Sequence, residues 1–165
     1  MKPVINMADA PFRETAGADG AFAAKFAPIG PAIGSAGLGC MAVVVPPGKK
    51  AFPFHVHHNS HELFIILEGS GVYRFGGETF PIVAGDVLAA PAGKGAKMAH
   101  QIINTGTVEL KYLGVSDRPT TDVMEYPDSG KFQVVSRFDW ANPVAGGVRY
   151  VGRTESAVDY FDGEK

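Results

Sequence analysis

The 165-residue chain has one cysteine, Cys40, so no disulfide can form within it. A single free thiol suits a reducing compartment. No apolar run approaches the roughly 20 residues a membrane-spanning helix needs. Met1-Lys-Pro-Val-Ile-Asn6 lacks the apolar stretch and cleavage site of a secretory signal. These absences lead us to expect a cytoplasmic protein. Positive charge is not in excess: 15 Lys and Arg stand against 17 Asp and Glu, a formal net charge of -2. A nucleic-acid-binding surface would need a basic stripe, so neither nucleic acid nor membrane is expected as a partner. There is no phosphate-cradling Gly-Lys-Ser/Thr loop, no dinucleotide fingerprint and no paired nucleophile and base.

Glycine and proline are plentiful, at 21 and 12, and spread along the chain. That distribution fits frequent turns between short strands. Cys40 to Pro46 is apolar, β-branched and bounded by Gly39 and Pro47. Phe54–His57, Leu63–Leu67, Val72–Phe75, Thr79–Val83, Val87–Ala90, His100–Asn104 and Val108–Ser116 follow, with turn residues between them. Leu63-Phe-Ile-Ile-Leu67 is continuously apolar, which predicts a strand covered on both faces. About eight strands between residues 40 and 116 argue for an antiparallel sandwich or barrel rather than βαβ units.

The flanks read differently. Residues 1 to about 20 read as an irregular arm, Phe22–Ile29 as a short strand and Gly30–Gly39 as loop. After residue 116, Asp117–Asp122 and Tyr126–Gly130 read as loops and Phe132–Val135 as a strand. A helical turn is expected to open at Asp139. Trp140, Tyr160 and Phe161 are expected to be buried, by a tail that wraps the barrel or crosses to a second subunit. No linker or repeat divides the chain, so residues 1–165 are expected to form one domain.

All five histidines fall between residues 55 and 100. His55 and His57 are two apart, which on a strand puts both imidazoles on one face. Two nitrogens so placed can bind one ion at about 2.0–2.2 Å. Glu62 lies beyond the Asn59-Ser60 turn, where a returning strand brings its carboxylate back, and His100 opens a later strand. Three imidazoles and a carboxylate suit one divalent transition metal (Zn, Mn, Fe, Ni or Co) better than Ca or Mg. A helical pair, His57 with His61, is disfavoured by Pro53 and by the strand-like Leu63–Leu67. His58 and His61 have the other parity and read as outward-facing or supporting groups. Tyr73 shares the parity of the barrel lining, which makes its hydroxyl a candidate acid or orienter. Phe64, Phe75 and Ile102 are candidate pocket walls. Lys97, with Lys94, is a candidate for holding an anionic substrate.

Taken together, these residues resemble the cupin superfamily. Gly48, His55, His57, Glu62 and Gly69 follow the first cupin motif, with one extra residue before His55. Gly85, Pro91, Gly93, His100 and Asn104 follow the second, with six residues instead of two between Gly93 and His100. The resemblance implies an all-β, double-stranded β-helix of jelly-roll type whose motif-bearing core is about 40–116. It also implies a homodimer and His55, His57, Glu62 and His100 as metal ligands. The extension, about 117–165, resembles that of small single-domain cupins, some described as sugar-phosphate isomerases. Cupins differ widely in function, so three readings stand: a metal-dependent isomerase or lyase of a polar metabolite, an iron-dependent dioxygenase, and a metal-containing binding module without turnover.

Overall fold

The computed structural model describes residues 2–17, 19–137 and 146–165. The helical turn expected at Asp139 and the burial expected for Trp140 lie outside the described residues. The strands are β1 Arg13–Ala16, β2 Ala23–Pro28, β3 Leu38–Val45, β4 Val56–His57, β5 Glu62–Glu68, β6 Ser70–Phe75 and β7 Glu78–Val83. They continue with β8 Val87–Ala90, β9 His100–Ile103, β10 Leu110–Asp117, β11 Thr121–Tyr126, β12 Lys131–Ser136 and β13 Val148–Gly152. One short helix, α1 Ile29–Ile33, closes on Gly34.

Three antiparallel sheets form, in the orders β1-β2-β3-β10-β5-β8, β13-β12-β11-β4 and β7-β6-β9. The last two meet at a two-residue bridge. His55 N–H donates to His100 O at 3.1 Å, and His100 N–H donates to His55 O at 2.7 Å. The joined face lies against the six-stranded sheet, giving the double-stranded β-helix. Between the faces sit Val43, Val45, Phe64, Ile66, Leu110 and Tyr112 from one side, and Tyr73, Ile82 and Ile102 from the other.

Strand alternation explains who is inside. Phe64 and Ile66 of β5 are buried, whereas Leu63 is 39% exposed. The strand is therefore covered on one face only. The arm and α1 cover the outer side of the sheet over β2 and β3, through Ala10 and Ile29 against Ala27 and Ala42. Beyond that cover, Leu63 and Ile65 pair with Val115 and Leu113 on one side and with Ala89 and Val87 on the other. They form an apolar outward strip. The flanks hold more structure than their composition suggests: β1 lies in the arm, α1 in the expected Gly30–Gly39 loop, and β11 overlaps the expected Asp117–Asp122 loop.

Two turns explain motif glycines. Gly69 has φ +83°, and a Cβ there would meet Glu109 O at 2.5 Å. Gly85 has φ +99° in the turn before β8. Asn104 is fully buried as a knot: its Nδ2 donates to Val45 O and Val108 O, both at 2.8 Å, and its Oδ1 accepts from Gly106 N–H at 2.9 Å. Tyr160 and Phe161 are not buried. They are 87% and 72% exposed, and their rings pack on each other at 4.9 Å.

Candidate metal centre

Three strands and a bridge residue converge on one interior corner. His57 belongs to β4, Glu62 opens β5, His100 opens β9, and His55 sits beside His100 across the bridge. One ligand atom from each of His55, Glu62 and His100 falls within 4.8 Å of the others. His57 stands at the edge of this group, its Nε2 3.5 Å from Glu62 Oε2. The rings of His55 and His57 are 5.1 Å apart, and those of His55 and His100 are 4.5 Å apart.

Hydrogen bonds fix two of the rings. His55 Nδ1–H donates to Pro53 O at 2.8 Å, because a carbonyl can only accept. His57 Nδ1–H donates to Asp122 Oδ2 at 2.6 Å. Each bond leaves Nε2 with its lone pair, the usual outer support of a metal-binding imidazole. Asp122 is itself held by the N–H groups of Asn59 and Val123, each at 2.9 Å.

Electrostatics follow from this crowding. Burial, then the neighbouring imidazoles of His100 and His57, push the His55 pKa from 6.5 down to about 3. Burial also opposes protonation of His57, but the bond to Asp122 and the charge of Glu62 outweigh it, and its pKa is raised. Burial would push Glu62 up; the adjacent imidazoles overcome this and hold its carboxyl below the usual range. Asp122 is likewise held low, burial being outweighed by His57 and the two backbone donors.

One observation tests whether an ion fits. Glu62 Oε2 and His100 Nε2 are buried without a hydrogen-bond partner, although they lie only 3.2 Å apart. An orphaned carboxylate oxygen and imidazole nitrogen facing one another are costly unless something bridges them. Nitrogen and oxygen donors at this spacing fit a first-row divalent ion.

The corner opens into a cavity of about 600 Å³. Phe64 and Ile102 line it, with Met41, Phe52, Tyr112 and Met124. Tyr73, Phe75 and Lys97 are not among the lining residues. Tyr73 instead donates its hydroxyl to Ala89 O at 2.8 Å, and burial raises its pKa well above the ordinary value. Phe75 packs behind it in the core. Lys97 is exposed because its loop is pinned along β4 and β11. Gly93 N–H bonds His57 O at 2.9 Å, Ala92 N–H bonds His61 Nδ1 at 3.2 Å, and Gly95 N–H bonds Glu125 Oε2 at 3.1 Å. His58, 2.6 Å from the other Glu125 oxygen, completes the clamp.

Sequence reading missed Asp122, Tyr126, Gln133 and Arg118, all of which line the cavity. Asp122, Met124 and Tyr126 share one parity, the signal that could have found them. The flanking Pro119 and Pro127 made the stretch read as loop.

The fold and the His/Glu corner define the class. Residues 41–116 match the family described as Cupin domain, and the chain belongs to the cupin superfamily. Among relatives, the oxalate-binding protein of Thermotoga maritima is 38% identical over 71 residues, 43% of this chain and 54% of that protein. The chain spans about half the length of the curated relatives it matches. A cupin-superfamily sugar phosphate isomerase from Silicibacter pomeroyi superposes with a TM-score of 0.77, covering 97% of this chain and 98% of that one at 23% identity, a likeness of fold. A predicted oxalate decarboxylase from Thermotoga maritima gives a TM-score of 0.60 at 26% identity, covering 70% of this chain and 99% of that one. Among the described residues no helix is long and apolar enough to cross a membrane.

Proposed function

We propose that His55, His57, Glu62 and His100 hold one divalent transition ion, and that the chain is a small metalloenzyme acting on a polar metabolite in its cavity. The orphaned pair Glu62 Oε2 and His100 Nε2, opening on that cavity, carries the reading. Bound there, a non-redox ion would polarise a carbonyl as a Lewis acid for isomerase or lyase chemistry, and iron would supply electron transfer to dioxygen. The chain's own residues prepare the site. Pro53 O and Asp122 aim two imidazole lone pairs inward. Burial keeps His55 neutral and ready to ligate. Phe64, Ile102 and Met124 keep the walls apolar, which strengthens polar contacts inside.

A binding module without turnover is the second reading, and one observation favours it. Apart from Glu62, assigned above to the ion, the carboxylates lining the cavity among the described residues are engaged: Asp122 with His57, and Asp117 with Ser60 Oγ at 2.9 Å and His61 N–H at 2.8 Å. Among the described residues none of these carboxylates stands apart as a general base. The name of the Thermotoga relative, an oxalate-binding protein, supports a small polar ligand under either reading. The apolar strip of Leu63, Ile65, Val87 and Val115 supports a homodimer.

Elemental analysis of protein purified without affinity tag or chelator tests the metal. About one ion per chain is expected. Iron directs the next assay to oxygen consumption, and zinc, manganese, nickel or cobalt to isomerase and lyase screens. A chain that holds no ion and takes none up overturns the reading.

A further inference from the structure

Resting on the reading of this cavity as a ligand site, we propose that Arg118 is its anion-binding residue and that the ligand carries a carboxylate or phosphate group. Arg118 lies just past β10, outside the family-matched residues 41–116, and lines the same cavity as His55, Glu62 and His100. Among the described residues it is the one lysine or arginine in that lining. Its guanidinium has no ion pair or hydrogen bond among the described residues. The adjacent carboxylate, Asp117, is taken by Ser60 Oγ and His61 N–H. A five-donor fork without a partner, at the exposed rim of a largely apolar cavity, suits a planar or tetrahedral oxyanion. Gly39 lies beside the stem of Arg118, its closest neighbour being Ser116, whose Oγ a Cβ there would meet at 2.6 Å.

Two buried amides complete the lining. Gln133 is 5% exposed, and its Oε1 accepts from Tyr126 Oη–H at 3.1 Å, while its Nε2 has no hydrogen bond among the described residues. Gln101 is 3% exposed and donates from Nε2 to Phe52 O at 2.8 Å, while its Oε1 has no hydrogen bond among the described residues. The cavity lining thus holds two amides besides the ligating corner and Arg118. These amides suit hydroxyl or carbonyl oxygens of a ligand, and Arg118 suits its anionic group.

Calorimetric titration of the zinc-loaded full chain with glycerol, L-lactate and glycerol 3-phosphate tests this. These probes share a three-carbon frame and differ in their anionic group. The expected result is binding of an anion at least about tenfold tighter than glycerol. Arg118→Gln should weaken it about ten- to hundredfold, the loss of a charge-assisted hydrogen bond, while Arg118→Lys recovers part. Preference for lactate assigns a carboxylate; preference for glycerol 3-phosphate assigns a phosphate. Zinc affinity should be the same in wild type and Arg118→Gln. Anion binding that is absent, or unchanged in Arg118→Gln, overturns the proposal, as does glycerol binding as tightly as the anions. If wild type takes up no zinc, the metal reading fails separately, and the same titrations on the metal-free chain decide Arg118.

Discussion

His57 is the ligand candidate most dependent on a neighbour. Its ring is turned by a 2.6 Å bond to Asp122, and Asp122 is fixed by two backbone N–H groups. Asp122→Asn should lower metal affinity about 10- to 100-fold, measured by competition with a chromogenic chelator. The same change should move the pH at which affinity falls downward, since Asp122 raises the His57 pKa and so strengthens proton competition. The metal-free protein has its own pH dependence. Unfolded His55 takes a proton near 6.5, whereas the folded ring resists until about 3. Its contribution is therefore full above 6.5 and lost as pH falls toward 3. His57, with a raised pKa, acts oppositely: its contribution is complete below 6.5 and lost as pH rises through the folded value. Glu62 and Asp122, both held low, add to the acid-side loss. Urea midpoints of the metal-free chain should peak close to pH 6.5, and a steady rise from pH 6.5 to 9 would contradict these assignments. Asn104 offers a purely structural control. Asn104→Leu strands two carbonyls and one N–H in the core and should cost about 3 kcal/mol in urea unfolding.

At the level of elements, β11 ties together parts the sequence showed separately. It pairs with β4 through Met124 opposite His57, supplies Asp122 to the site and Glu125 to the loop clamp. Glu125→Ala should speed hydrogen exchange at Gly95 and proteolysis around Lys97, with metal affinity unchanged. Slower exchange there would show that Glu125 does not hold the loop. The barrel strands were legible because apolar runs such as Val87–Ala90 sit between glycine turns. The site was legible in part, since His55, His57, Glu62 and His100 carry a spacing that chemistry constrains. Asp122 and Arg118 were not legible. Asp122 takes its meaning from His57, 65 residues away in the chain, with only its parity with Met124 and Tyr126 as a local sign, and Arg118 takes its own from a cavity that the fold assembles. Tyr73 misled for a related reason: parity places a side chain on a face but does not say what its hydroxyl meets, here Ala89 O.

For the molecule as a whole, the outer surface is as telling as the cavity. Leu63 and Val87, 39% and 61% exposed, lie on neighbouring strands of the six-stranded sheet. Leu63→Lys combined with Val87→Lys should halve the mass seen by light scattering if a second copy covers this strip, and should leave the metal content unchanged. A wild-type chain that is already monomeric would remove the dimer. The junction of the two smaller sheets has a further consequence. It is made by the backbone N–H and C=O groups of His55 and His100, while the chemistry resides in their imidazoles. Architecture and reactivity are thus written in different atoms of the same two residues. A lineage can exchange those imidazoles, and with them the ion or the reaction, without reopening the joint, so one barrel can pass between catalyst and receptor by side-chain drift alone.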